Sequence, residues 1–527
     1  MSMMRRAGLA AVAALATLGT TTCSAGQTRL PTMTIMPKSL PRIGTVNRRY
    51  QSYNIEMVEV TGGRFWKPYG STAQSEDPST NQPAGIDRSL FEYRPPIDLS
   101  NSRLRKLAAA LGPAYLRVSG TWANSTYFQD ANAPAKQSPP PGFKSILTRE
   151  QWKGVVDFAH AVDAKIVTSF AISDGVRDKD GVWTPDQARE LLAYTKSVGG
   201  SVAAAEFMNE PTIPQQGGAP KDYDAAAFAR DFAVFRAFMK KASPGTLIVG
   251  PGGVMEGGAQ LPPSMKVITS QDILAATGPV FDAISYHFYG AVSSRCGMLG
   301  SSMTTSPDEA LSAAWLYRTV EIEKFYAALR DRYEPGKPLW ITETAQAACG
   351  GDRWASTFLD SFRYLNQLGA LAKRGVQVQM YNTLSASDYG LLDEKTYAPR
   401  PNYWAALLWR KLMGTTVLDA GVSTSPDLYV YAQCLPHHPG GVTLLAINAD
   451  TNSEKSIKIP SASERYTLTA PHLISKQVLL NGVALKLGEN DSLPALNGFA
   501  TPAGKVTLAP ASISFFAVPG AGNAACR

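Results

Sequence analysis

The sequence predicts a (β/α)8 barrel of the α/β class, followed by a β-sandwich domain. Three observations lead there. Between about residues 51 and 414, eight apolar, β-branched runs alternate with eight helical patterns. From about residue 415 the helical patterns stop, and short strands separated by Gly, Pro and Asn take over. The composition, 44% hydrophobic and 18% charged over 527 residues, is that of a globular chain with room for one large domain and a small one. Collagen-like repeats and wholesale disorder are excluded.

The barrel units run in order. A β-like run at Ile55–Val60 opens the series, and after a long polar loop a helix is expected at Ser102–Leu111. Ala114–Ser119 then reads as a strand and Glu150–Val162 as a helix, Lys165–Ala171 as a strand and Pro185–Val198 as a helix. Val202–Met208 precedes a helix at Asp224–Lys241, and Thr246–Gly250 a short helix at Gln271–Thr277. Phe281–Phe288 leads into a long helix at Asp308–Arg332. Pro338–Thr342 leads into Arg353–Arg374, and Val376–Asn382 into Tyr403–Met413. Strands that are apolar on both faces are what crossover helices cover. Eight such units suggest a closed barrel, with an open doubly wound sheet as the rival arrangement. In the tail, strands are expected at Leu428–Cys434, Gly441–Asn448, Ser456–Ile459, Tyr466–Ala470, Gln477–Leu480 and Ser512–Val518.

The N-terminus has the layout of a secretory signal. Arg5 and Arg6 precede an apolar run from Ala7 to Leu18, and small residues lead to a cleavage point near Ala25. Cys23 raises the alternative of a lipid anchor, although Thr20 stands where a lipoprotein signal usually carries Leu. Residues 26–50 are weakly patterned and are expected to pack on the β-domain. No apolar run reaches the roughly 20 residues of a membrane span. The expectation is an exported protein, periplasmic or extracellular.

The net charge of +8 falls to +6 without residues 1–25, which hold Arg5 and Arg6 and no acid. Its densest clusters, Arg103, Arg105 and Lys106, then Arg410 and Lys411, lie on helical stretches and read as solvated faces. No basic tract argues for nucleic acid. Four cysteines remain after cleavage, enough for two disulfides with three possible pairings. Cys296–Cys349 with Cys434–Cys526 would keep each bridge within one predicted domain. No CxxC spacing occurs, so no zinc or redox centre is expected.

Catalytic groups in a barrel sit at the C-terminal ends of the strands. The fourth predicted strand runs into Asn209-Glu210-Pro211, and the seventh runs through Trp340-Ile341-Thr342 to Glu343. Two apolar strands thus each deliver one Glu to the same mouth. A pair of carboxyl groups flanking a glycosidic bond, one protonated and one ionised, is the equipment of glycoside hydrolysis. Asn209 would reach a hydroxyl beside the reacting carbon. Trp66, Trp122 and Trp340 read as core residues rather than a sugar-stacking platform.

An ordered set of segments resembles glycoside hydrolase family 79, the heparanase and β-glucuronidase family. Residues 107–121 (LAAALGPAYLRVSGT) resemble its second strand, and Ser285-Tyr286-His287-Phe288-Tyr289 its sixth. Residues 340–352 (WITETAQAACGGD) resemble its nucleophile strand and the loop beyond. Tyr389–Glu394 and Pro401–Trp404, leading into Leu412–Thr415, resemble its eighth unit. The resemblance implies Glu210 as acid/base and Glu343 as nucleophile. It implies Asn209, His287 and Tyr289 around the reacting sugar, with Glu56 and Thr121 lining the same pocket. Gly350 and Gly351 would offer N–H groups to a glucuronate carboxylate, and Tyr389 its hydroxyl. No cofactor and no metal are implied. The partner is a glucuronide or a glucuronate-containing oligo- or polysaccharide.

The long insert between the first two strands that family members cleaved from a precursor carry has no counterpart here. Consecutive basic clusters for heparan chains are also missing. These departures favour exo action on a terminal β-linked glucuronic acid. Endo cleavage of a glucuronate polysaccharide, or a non-catalytic carbohydrate-binding barrel, are the alternatives.

Overall fold

The structure is a computed structural model, and it describes residues 32–72, 86–258, 267–299, 303–423 and 425–527. The N-terminal segment expected to be a secretory signal, with Cys23, lies outside the described residues. Eight parallel strands close into a barrel: Gln51–Glu56, Ala114–Ser119, Ala164–Thr168, Val202–Ala205, Leu247–Gly253, Ala283–Tyr289, Leu339–Ala345 and Val378–Tyr381. The eighth pairs with the first, Gln379 opposite Gln51, so the sheet has no edge and the open rival is excluded. Helices follow the strands at Ser102–Ala110, Arg149–Ala161, Asp186–Ser197, Ala225–Ala242, Ser270–Thr277, Ala313–Tyr333, Phe358–Lys373 and Pro401–Leu412.

The barrel interior has a dry floor. Tyr115, Val167, Ala204, Val249, Ala283, Trp340, Val378 and Met380, from seven of the strands, form one apolar cluster. Tyr115 and Trp340 meet across it with ring centroids 5.1 Å apart.

Two strand expectations need correction. The run Ile55–Val60 is not one strand. The strand ends at Glu56, and Met57–Thr61 is a short helix. Glu56 and Glu59 form a capping box, each carboxylate accepting the other's backbone N–H. The apolar Val58 and Val60 gave the helix a strand-like composition, an ambiguity inherent in short apolar runs. The expected strand Val202–Met208 pairs only as far as Ala205, and the chain then leaves the ladder to carry Glu206–Glu210.

Beyond the barrel lie two sheets. One joins Leu428–Cys434, Val442–Asn448, Ser512–Val518 and Ser463–Thr469, with shorter strands at its ends. The other has three strands, Met33–Thr34, Lys455–Ile459 and Gly504–Leu508. Ile35, Leu444, Ile457, Leu508 and Phe516 meet between them in a separate apolar cluster, which makes the pair a sandwich. The short strand Arg42–Thr45 pairs with Thr416–Leu418 in the larger sheet. The sequence pattern showed neither of these two strands, nor Gly504–Leu508, because none carries a long apolar or alternating run. Both disulfides form, Cys296–Cys349 and Cys434–Cys526.

Candidate active site

The C-terminal ends of the strands surround a cavity of about 440 Å³, within the usual range for small-ligand sites. Glu56, Thr121, Glu210, His287, Tyr289, Glu343 and Tyr389 all line it. Trp66 and Trp122 line it as well, although both are buried, whereas Trp340 lies in the floor. All three are buried core residues as expected, and Trp66 and Trp122 in addition face the cavity.

Beneath the cavity sits a layer of charge. Stepping two residues up the strands from Tyr115, Ala204, Ala283 and Trp340 gives Arg117, Glu206, Ser285 and Thr342. Arg117 is wholly buried, and its guanidinium donates to Glu206 (2.9 Å), Glu343 Oε2 (2.9 Å) and Asn209 Oδ1 (2.7 Å). Glu206 Oε1 accepts from Thr342 Oγ1 at 2.6 Å and from Ser285 Oγ at 3.3 Å. Burial pushes the Glu206 carboxyl up, but the Arg117 guanidinium, helped by the Thr342 hydroxyl, outweighs it and holds it below its ordinary range. Arg117 stays charged, since Glu206 and Glu343 outweigh the burial that opposes its charge. A buried ion triad is stable only when every polar atom is satisfied, as here.

Glu343 emerges from this layer. Arg117 donates to one of its oxygens, and the Tyr289 hydroxyl donates to the other at 2.5 Å. A carboxylate, which only accepts, fits that pattern. Asn382 Nδ2 in turn donates to the Tyr289 oxygen (3.0 Å) and to that of Tyr389 (3.2 Å).

Glu210 has different surroundings. Its backbone is left-handed, with φ 48°, a conformation that costs a non-glycine residue on the order of 1 kcal/mol. Neighbours pin it there. Asn124 bonds both backbone groups of Asn209, accepting its N–H at 2.8 Å and donating to its carbonyl at 2.9 Å. Ile213 N–H closes a turn on the Glu210 carbonyl at 3.1 Å. Burial pushes the Glu210 carboxyl up to about 7, with Arg117 opposing the shift.

His287 links the two carboxyl groups. Burial pushes the imidazole down to about 4, so the ring is neutral. Nε2 lies 3.3 Å from Arg117 Nη2, which only donates, so Nε2 accepts. Nδ1 therefore carries the hydrogen and donates to Glu210 Oε1 at 3.0 Å. With both nitrogens engaged, His287 has no lone pair free for a cation. One oxygen of Glu210, one of Glu343 and a His287 nitrogen lie within 4.8 Å of one another.

Glu56 completes the cavity from the first strand. Burial and the nearby Glu343 raise its carboxyl well above the ordinary range. Gly120 (φ +91°) makes room for it, because a Cβ there would meet Glu56 Oε2 at 1.5 Å. Asn209 stands just below, held by Arg117 and hydrogen-bonded to Glu210. Gly350 and Gly351 are buried beside Cys349 but do not themselves line the cavity. Their turn is firmly anchored. The Gly350 carbonyl accepts from Asp388 N (3.1 Å) and Ser387 Oγ (3.1 Å), and the Gly351 carbonyl from Ser293 Oγ (2.8 Å) and Arg295 Nη2 (3.2 Å).

Reading the sequence for strand-end carboxylates missed Arg117, Glu206, Asn124 and Asn382. The signal for the first two was present: a charged residue inside an apolar strand, in Ala114–Ser119, and another directly after Ala203-Ala204-Ala205.

A profile of the N-terminal domain of glycosyl hydrolase family 79 matches residues 95–369, just over half of the chain. The chain belongs to glycosyl hydrolase family 79. Among family relatives, mouse (Mus musculus) heparanase is 30% identical over 488 residues, covering 81% of this chain and 88% of its own. Baicalin-β-D-glucuronidase of Scutellaria baicalensis is 25% identical over 468 residues, covering 80% and 84%. A 4-O-α-L-rhamnosyl-β-D-glucuronidase from Fusarium oxysporum 12S shares the fold, with a TM-score of 0.63 at 13% identity, over 93% of this chain and 100% of its own.

Proposed function

We propose that this glycosidase hydrolyses β-linked glucuronic acid at a chain end or on an aglycone, by double displacement with retention. The observation that carries the reading is the pair Glu210 and Glu343, with oxygens within 4.8 Å and unlike surroundings. Retaining enzymes hold their two carboxyl groups about 5 Å apart, whereas inverting ones leave room for a water between them. Glu343, aimed by Arg117 and Tyr289, attacks the anomeric carbon and forms a glycosyl-enzyme. Glu210, protonated up to about pH 7, gives its proton to the leaving oxygen. Once ionised, it takes a proton from the water that releases the sugar. His287 holds Glu210 through Nδ1–H, and Asn209 reaches the hydroxyl next to the reacting carbon. Glu56 and Thr121 line the sugar's remaining edge. The Tyr389 hydroxyl holds the glucuronate carboxylate, and the Gly350–Gly351 turn, expected from the sequence to offer its N–H groups but lying outside the cavity lining, backs it instead through the Tyr389 N–H on the Gly350 carbonyl (3.3 Å). The names of the relatives support the sugar.

Exo action is supported by the loop after the sixth strand. Val292 bridges to Ala348, and Cys296 is bonded to Cys349, so this loop is tied against the nucleophile strand where it walls the cavity. Two disulfides also suit the oxidising compartment that the N-terminal signal addresses, so we assign the protein to the periplasm or the exterior. The test is hydrolysis of chromogenic β-glucuronide, β-glucoside and β-galactoside in parallel, with a fluorinated glucuronosyl inhibitor to trap the intermediate. A strong glucuronide preference and an adduct on Glu343 are expected. Equal rates on all three sugars would remove the substrate assignment, and no adduct would favour a binding protein. Size-exclusion profiles of a digested glucuronate polymer separate slow monosaccharide release from early loss of chain length.

A further inference from the structure

We propose that the subsite beyond the scissile oxygen takes an uncharged, apolar aglycone, aryl or alkyl, and turns away sulfated or otherwise anionic ones. The inference rests on the glucuronide reading above. The proton donor must stand beside the leaving oxygen, so the aglycone lies on Glu210's side of the cavity. The wall there is built from three segments locked together. Ile213 follows Glu210 by one turn. Thr212 Oγ1 donates to the Val254 carbonyl and accepts the Val254 N–H, both at 3.0 Å, which ties that turn to the loop after the fifth strand. Gly257 in that loop packs against Ile322 of the long helix Ala313–Tyr333, so closely that a Cβ would lie 2.9 Å from Ile322 Cδ1.

The apolar side chains these segments present to the cavity are Ile213, Val254, Met255 and Ile322, with Gln216 and Glu256 as polar neighbours. Burying hydrocarbon against it is favourable in proportion to the area covered. The charges point the same way. Among the described residues lining the cavity the one cation is Arg318. Its Nη1 donates to the Gly290 carbonyl at 2.6 Å, and its guanidinium lies over Trp315, 5.0 Å from the ring centroid. Glu321, one helical turn on, is exposed and lines the same cavity. Glu256 lines the cavity too, its carboxylate accepting from Ser270 and Tyr326. A sulfate on the aglycone would therefore meet hydrocarbon and a carboxylate rather than a free basic cluster.

The experiment compares kcat/KM for hexyl β-glucuronide, whose leaving alcohol is no better than a sugar's, with a glucuronosyl-N-acetylglucosamine disaccharide, neutral or 6-O-sulfated. 4-Nitrophenyl β-glucuronide serves as the positive control. The hexyl glucuronide should exceed the sulfated disaccharide at least tenfold, with the neutral disaccharide between them. Glu321→Lys, a change at an exposed helix position, should raise the sulfated substrate about threefold relative to the neutral one. Turnover of the sulfated disaccharide equal to or above that of the hexyl glucuronide overturns the inference while leaving the glucuronide reading standing. An unchanged sulfated-to-neutral ratio in Glu321→Lys overturns the electrostatic half. Failure to cleave any glucuronide, the control included, removes the glucuronide reading itself.

Discussion

Two layers of the same barrel, one step of the pleat apart, are built from opposite materials. The lower is hydrocarbon and aromatic ring: Tyr115, Ala204, Ala283, Trp340 and their neighbours. The upper is an ion network: Arg117 and Glu206, with Ser285 and Thr342 filling the remaining valences. The lower layer can tolerate any shape that fills its volume. The upper one requires particular atoms at particular distances. The difference shows how the carboxyl groups of Glu210 and Glu343 come to have unlike surroundings so close together. The floor excludes water from below, which strengthens every interaction above it, and the network fixes which carboxyl faces a cation.

The largest effect expected on that contrast comes from Glu343→Gln. It should lower turnover on the order of 10⁴-fold or more while leaving thermal unfolding close to the parent, because the amide still accepts from Arg117. Arg117→Met should cost both properties. It strands Glu206 in the interior, a loss of about 3–5 kcal/mol, and it releases Glu343, so kcat should collapse in whatever fraction remains folded. Trp340→Ala makes the matching lesion in the floor. It should cost a similar 3–5 kcal/mol as a cavity, with kcat of the folded enzyme within several-fold of the parent. Chemical unfolding and active-site titration on the two variants separate the layers. Equal kcat losses would mean that the floor positions catalytic atoms too.

The pH profile tests Glu210. Its carboxyl is raised to about 7, so the acid form is present below that value and is lost as pH rises through it. The alkaline limb of kcat/KM should therefore fall near pH 7. Glu210→Gln should abolish that limb on a dinitrophenyl glucuronide, whose leaving group needs no proton. The smallest effect belongs to the rim. Arg295 donates to the Gly351 carbonyl and to Asp388, at 2.5 Å, so Arg295→Ala should loosen the glycine turn. KM for the glucuronide should rise about tenfold with kcat little changed, and the β-glucoside should be unaffected. A purely structural lesion would lower both alike.

The alternation of apolar runs and helical patterns made the barrel legible, because closing strands and crossover helices leave strong periodic signals. Glu210 and Glu343 were legible for a related reason: each follows an apolar run toward the mouth of the barrel, Glu343 within Leu339–Ala345 and Glu210 five residues beyond Ala205. Arg117 and Glu206 were not found because a search confined to strand ends passes over the interior of Ala114–Ser119, and because the fourth strand was expected to run on to Met208 when it stops at Ala205, directly before Glu206. The helix Met57–Thr61 read as strand because its cap lies in two carboxylates three residues apart rather than in its apolar content. The strands near residues 33–45 were invisible because their order comes from partners elsewhere, Ile457 for Met33 and Thr416 for Thr45.

That last pairing bears on how the molecule comes into being. Asn523 donates to the Pro37 and Leu40 carbonyls, and the first of these contacts spans 486 residues. The leading strands thus wait for almost the whole polypeptide to be synthesised before their neighbours exist. Trimming the C-terminus, a routine way to shed an accessory module, would here strip partners from the opposite end of the molecule. Folding of this architecture is governed by contacts distant along the chain, which form slowly and leave unpaired strand edges open to aggregation in the meantime.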